Sequence, residues 1–73
     1  MDEHANAVVA RWAARMPDAV AEGVTEKEYC RNFKRFLLWG GWDVATADAM
    51  VNKMLRIYER RKQSENEAEN LSH

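Results

Sequence analysis

Leu37-Leu38-Trp39-Gly40-Gly41-Trp42-Asp43 is the stretch that decides the fold. It sits between two runs of helical periodicity, and it holds a helix stop, a turn and a helix start in seven residues. Gly41 is the natural C′ residue of the helix before it, in a left-handed conformation. Trp42 is then C″ and Leu37 is C3, the pair that a Schellman motif brings into apolar contact across a helix end. Asp43 follows as the N-cap of the next helix. A connection of three or four residues forces the two helices into a helical hairpin. Trp42 is read as the plug of that turn, and Gly40 as the residue that lets the backbones approach. Leu38 and Trp39 have no such duty.

Upstream, Thr25-Glu26-Lys27-Glu28 is a capping box with Thr25 as N-cap, and Val24 and Tyr29 form the hydrophobic staple around it. At about 100° per residue, Tyr29, Cys30, Phe33, Phe36 and Leu37 fall on one arc, which predicts the core face of a helix over about 26–40. Lys27, Arg31, Lys34 and Arg35 lie opposite, with Leu38 among them. Downstream, Val44, Ala47, Met50, Val51, Met54, Leu55, Ile57 and Tyr58 give the apolar arc of a helix over about 44–62. Its far side carries Lys53, Arg56 and Arg60, and Arg60, Arg61 and Lys62 suit the negative pole of its end.

Before the hairpin, Val8, Val9, Trp12, Ala13 and Met16 mark one face of a first helix, over about 5–16. Pro17 is expected to end it, because the residue before a proline is pushed out of the helical region. Residues 18–23 then read as a connection bent at Gly23. Residues 63–73, QSENEAENLSH, are polar, acidic and without periodicity, and are expected to form a flexible, disordered tail. The fold class expected is all-α: a small three-helix bundle built on a helical hairpin, one domain over 1–62, with the first helix across the seam of the other two.

The size limits what such a domain can do. A chain of 73 residues buries only about 60% of the surface its unfolded form exposes, which leaves little core for a deep pocket. The single cysteine, Cys30, excludes an internal disulfide and suggests a reducing, cytoplasmic setting. No run of apolar residues is long enough for a membrane span, and the start lacks the pattern of a signal peptide.

Catalytic and metal chemistry find no constellation here, so no enzyme, cofactor or metal site is expected. The two histidines, His4 and His73, lie near the ends in segments expected to be mobile, and with one cysteine they cannot supply a structural zinc set. Cys30, between the core-facing Tyr29 and Phe33, reads as a small buried hydrophobe and not as a nucleophile. Gly40-Gly41 follows a helix and not a strand, unlike a phosphate-cradling loop.

The charge distribution says more. Asp2, Glu3, Asp18, Glu22 and Glu26 against Arg11 and Arg15 give residues 1–26 a net of −3, residues 27–62 carry +5, and residues 63–73 return to −3. The basic stripes on the second and third helices are either solvated faces, phosphate contacts, or a match for an acidic protein surface. A helix-turn-helix reading is weakened by the start of the third helix, Val44-Ala45-Thr46-Ala47-Asp48-Ala49, which holds no Arg, Lys, Asn or Gln to read bases. The function expected is therefore binding: a small adaptor, inhibitor or regulator that docks on a larger protein or protein-nucleic-acid machine. Leu38 and Trp39 would be the apolar anchor, unless the first helix covers Trp39. Arg31, Lys34, Arg35, Lys53, Arg56 and Arg60 would be its electrostatic rim. The alternative is a nucleic-acid-binding regulator that contacts phosphates. The chain is expected to be a monomer or a homodimer, the latter through the near-heptad Val44, Ala47, Val51, Met54 and Tyr58.

Overall fold

The computed structural model describes the backbone of residues 2–71 and the side chains of residues 2–65. Three helices pack against one another: α1 (Glu3–Ala21), α2 (Glu26–Trp39) and α3 (Val44–Leu71). No strand occurs among the described residues. The core is one cluster in which Ala5, Val9, Ala13 and Met16 of α1 meet Tyr29, Phe33 and Leu37 of α2 and Ala47, Met50, Met54 and Tyr58 of α3. Each set repeats at three or four residues, the spacing that keeps side chains on one face of a helix. α1 touches both other helices and packs more extensively on α3 than on α2.

Two four-residue connections, built on one pattern, join the helices. At the end of α2, Gly41 has φ 95°, its N–H donates to the Leu38 carbonyl at 3.2 Å, and the Trp42 N–H donates to the Leu37 carbonyl at 3.1 Å. This is the Schellman motif read from the sequence. Asp43 then caps α3, its Oδ2 accepting from the Thr46 N–H at 3.2 Å. At the end of α1, Gly23 has φ 104°, its N–H donates to the Val20 carbonyl at 3.1 Å, and the Val24 N–H donates to the Ala19 carbonyl at 3.0 Å. Thr25 then caps α2, its hydroxyl oxygen accepting from the Glu28 N–H at 3.1 Å. In both turns a left-handed glycine is followed by an apolar residue that packs against the core, Val24 or Trp42, and then at once by an N-cap.

The expectations for α1 and for Gly40 are corrected. α1 continues through Pro17 to Ala21, because a proline removes one helical hydrogen bond but does not forbid the helix when packing holds both sides. Ala13 and Met16 before it are fully buried, and Ala19 and Val20 after it pack on the core. The start moves forward as well: Asp2 caps α1, its Oδ1 accepting from the Ala5 N–H at 2.8 Å. This orders His4, whose ring stacks on Trp42 with centroids 5.8 Å apart; His73 lies outside the described residues. Gly40 is not a point of close approach, since a Cβ there would meet only its own helix's Phe36 and Leu37 carbonyls and the Trp42 ring. The near-heptad seam of α3 is used inside the bundle, where Ala47, Met54 and Tyr58 are buried. α3 is helical in backbone to Leu71, and the side chains of the acidic tail from residue 66 onward lie outside the described residues.

Asp43 is exposed, and hydrogen bonds from Thr46, the hydroxyl first and the N–H second, hold its carboxyl below the usual aspartate range. A carboxylate whose folded pKa is depressed stabilises the fold above its unfolded pKa and loses that contribution as pH falls through the folded value. Asp43→Asn keeps a good capping side chain that does not titrate. In urea melts between about pH 5 and pH 2, the stability of the native chain relative to Asp43→Asn should therefore fall with pH. A constant difference would contradict the assignment. The glycines give a second check. Gly41→Ala, forced to positive φ, should cost about 1–2 kcal/mol, whereas Gly40→Ala should change stability by less than about 1 kcal/mol in either direction, both read from denaturant midpoints.

Candidate functional site

The phase of α2 is fixed by its buried stripe, Tyr29, Phe33 and Leu37. Leu38 lies about 100° and Trp39 about 200° further round the helix, so neither can face the core. Leu38 is 40% exposed and Trp39 94% exposed, so α1 does not cover Trp39. Together with Arg35 and Phe36 they line a shallow, mostly apolar depression on the outside of α2. Phe36 was placed in the core by its position at the edge of the apolar arc, yet it is 51% exposed. One side of its ring rests on Trp12, centroids 5.3 Å apart, and the rest joins Leu38 and Trp39. Val44, also assigned to an apolar arc, is 55% exposed at the first position of α3.

The remaining two tryptophans serve the fold. Trp12 stacks on Phe33 at 4.7 Å and meets Tyr29 edge-on at 5.4 Å. Its carbonyl accepts a hydrogen bond from the Tyr29 hydroxyl. Burial raises the Tyr29 pKa, with Arg15 opposing. Trp42 lies between the hairpin turn and the first turn of α1, where His4 stacks on it. Cys30 is partly buried against the core, and burial first, Glu26 second, pushes its thiol pKa up. The thiol therefore stays protonated at neutral pH, the opposite of an activated nucleophile.

The cations of the expected rim divide. Lys34 forms an ion pair with Asp48 of α3 at 2.9 Å, and Lys53 donates a hydrogen bond to the side-chain oxygen of Asn6 on α1, so these two lysines tie helices together. Arg31 and Arg35 are exposed on α2, and Arg56 and Arg60 on α3. Lys53, Arg56 and Arg60 line a second shallow groove with Asn52 and Ile57, and it shares no residue with the depression at Trp39. The structure thus brings Arg35, Leu38 and Trp39 together with Phe36 and sets the α3 cations apart from them. Sequence reasoning missed Phe36, whose only signal was its place at the arc's edge.

Among the described residues no cluster of three His, Cys, Asp or Glu side chains could hold a metal ion, and no helix is long and apolar enough to cross a membrane. The chain matches no protein-family model, no curated protein and no solved structure at a significant level.

The different surroundings of the tryptophans set up a direct comparison. Trp39→Ala should shift stability by no more than about 0.5 kcal/mol, while Trp12→Ala, which empties a stacked site, should cost up to about 3–5 kcal/mol. Thermal melts followed by far-UV circular dichroism test this. A Trp39→Ala loss as large as that of Trp12→Ala would show that Trp39 is part of the fold.

Proposed function

We propose that this protein is a non-enzymatic binding module, a small adaptor, inhibitor or regulator that docks on a larger protein through the outer face of α2. The observation that carries the reading is Trp39, at 94% exposure, in a domain whose two other tryptophans are packed. A large exposed apolar side chain gives the isolated domain nothing to gain from burial. Tryptophan and arginine are also the residues most enriched among those that dominate binding energy. Phe36 and Leu38 extend the apolar area, and Arg35 borders it.

The second reading, a nucleic-acid-binding regulator that contacts phosphates, is favoured by one observation: the groove on α3 lined by Lys53, Arg56 and Arg60. It is opposed by the start of that helix, where Ala47 is buried and Asp48 is paired with Lys34. On that reading affinity for nucleic acid falls steeply with salt, and charge reversal at Arg56 and Arg60 weakens it.

The deciding experiment is capture of partners from a cell lysate, with and without nuclease, comparing the native chain with a Leu38→Ala, Trp39→Ala double variant shown to be folded. The docking reading expects nuclease-resistant capture of a protein by the native chain. The double variant should bind that protein with a loss of at least about 2 kcal/mol, the threshold of a hot spot. Equal capture by the double variant would sink the assignment, and nuclease-sensitive recovery would favour the second reading.

A further inference from the structure

The outer face of α2 is electrostatically at odds with itself. Lys27, Arg31 and Arg35 stand four residues apart, all exposed. Side chains at that spacing are neighbours on a helix, and like charges there destabilise it. The fourth cation, Lys34, is relieved by Asp48 across the seam with α3. Among the described residues Arg31 and Arg35 form no ion pair, although Glu28 lies three positions from Arg31. At the C-terminal end of this ladder lie Leu38, Trp39 and Phe36. The bundle therefore retains a repulsive row of cations leading directly into an apolar pad, and neither that row nor Trp39, 94% exposed, stabilises the bundle.

We propose that this face receives an acidic amphipathic helix of a partner protein. Its Asp or Glu side chains, spaced four apart, would lie over Arg31 and Arg35, and its aliphatic or aromatic side chains over Leu38 and Trp39. The inference rests on the docking reading above and names what docks. A helix fits because its own four-residue spacing matches that of the ladder. Arginine suits carboxylates because its planar fork can bind both oxygens. A second copy of the chain fits poorly: pairing α2 with α2 would set the three cations of one copy against those of the other, with only Glu28 exposed among them.

The test begins with stability. Arg31→Glu makes both repulsive neighbours, Lys27 and Arg35, attractive, so the isolated domain should melt at a higher temperature while binding is lost. A residue kept for the fold would show the reverse. The binding probe is a library of random peptides displayed on phage and selected on the full chain. Peptides recovered should combine several acidic residues with apolar ones and should lose affinity as salt rises. They should bind an Arg31→Glu, Arg35→Glu variant at least about tenfold more weakly, and lose binding to Trp39→Ala.

Peptides that need Trp39 but carry no acidic enrichment and ignore the charge reversal overturn this inference and leave the docking reading standing. Peptides indifferent to Trp39→Ala, or no enrichment above an uncoated surface, overturn both. Quenching of Trp39 fluorescence by oligodeoxythymidine that also displaces the peptides assigns the face to single-stranded nucleic acid instead. Concentration-dependent dimerisation abolished by Trp39→Ala assigns it to a second copy. Either result overturns the proposal.

Discussion

The hydrogen bond from the Trp42 N–H to the Leu37 carbonyl, made at a left-handed Gly41, is the constraint on which the rest of the molecule depends. It stops α2 within one residue, and because Asp43 caps α3 immediately afterwards, the hairpin has no slack. Leu37 must be buried for the closure to bury its apolar contact, and that fixes the rotation of the whole of α2. Once Leu37 points inward, Phe33 and Tyr29 follow at one and two turns, and Trp39 is carried to the outside. The exposure of position 39 is thus a consequence of the turn. That a tryptophan occupies it is not, since a polar residue would satisfy the same geometry, and this is the ground on which the docking proposal rests.

Local rules made much of this legible. The Thr25 and Asp43 caps, the closure at Gly41 and the buried stripes are set by contacts between residues a few positions apart, which a single sequence displays directly. What escaped was set by distant packing. Pro17 lies inside α1 because Met16 and Val20 are held by other helices, a contribution the local penalty of a proline does not contain. Phe36 sits where the apolar arc ends, and whether such a residue faces in or out depends on where Trp12 of α1 lies. Gly23-Val24-Thr25 repeats the glycine, apolar and cap order of Gly41-Trp42-Asp43, so the end of α1 was readable by the rule that located the end of α2. The proline masked it.

The candidate surface was half legible, and the division follows the chemistry of the side chains. Position on a helical wheel put Leu38, Trp39, Arg31 and Arg35 off the core arc, but left open whether α1 covers Trp39. It could not tell that Lys34 and Lys53, on the flanks of their helices, would reach across to Asp48 and Asn6. Both cations spent on ties between helices are lysines, flexible point charges whose long stems can span a seam. The cation that lines the apolar depression is Arg35, and the forked, weakly hydrated head group of an arginine loses less on desolvation at an interface. The cations expected to form one rim therefore divide: Lys34 and Lys53 reach to neighbouring helices, Arg56 and Arg60 line a groove on α3, and Arg31 and Arg35 stand exposed on α2. Arg31 and Arg35 stand on the same face as Trp39, the only fully solvent-facing tryptophan of the domain. On the proposed docking reading, exposed arginines would supply specificity and an aromatic anchor affinity, and the turn at Gly41 sets Arg35 and Trp39 together at the end of α2.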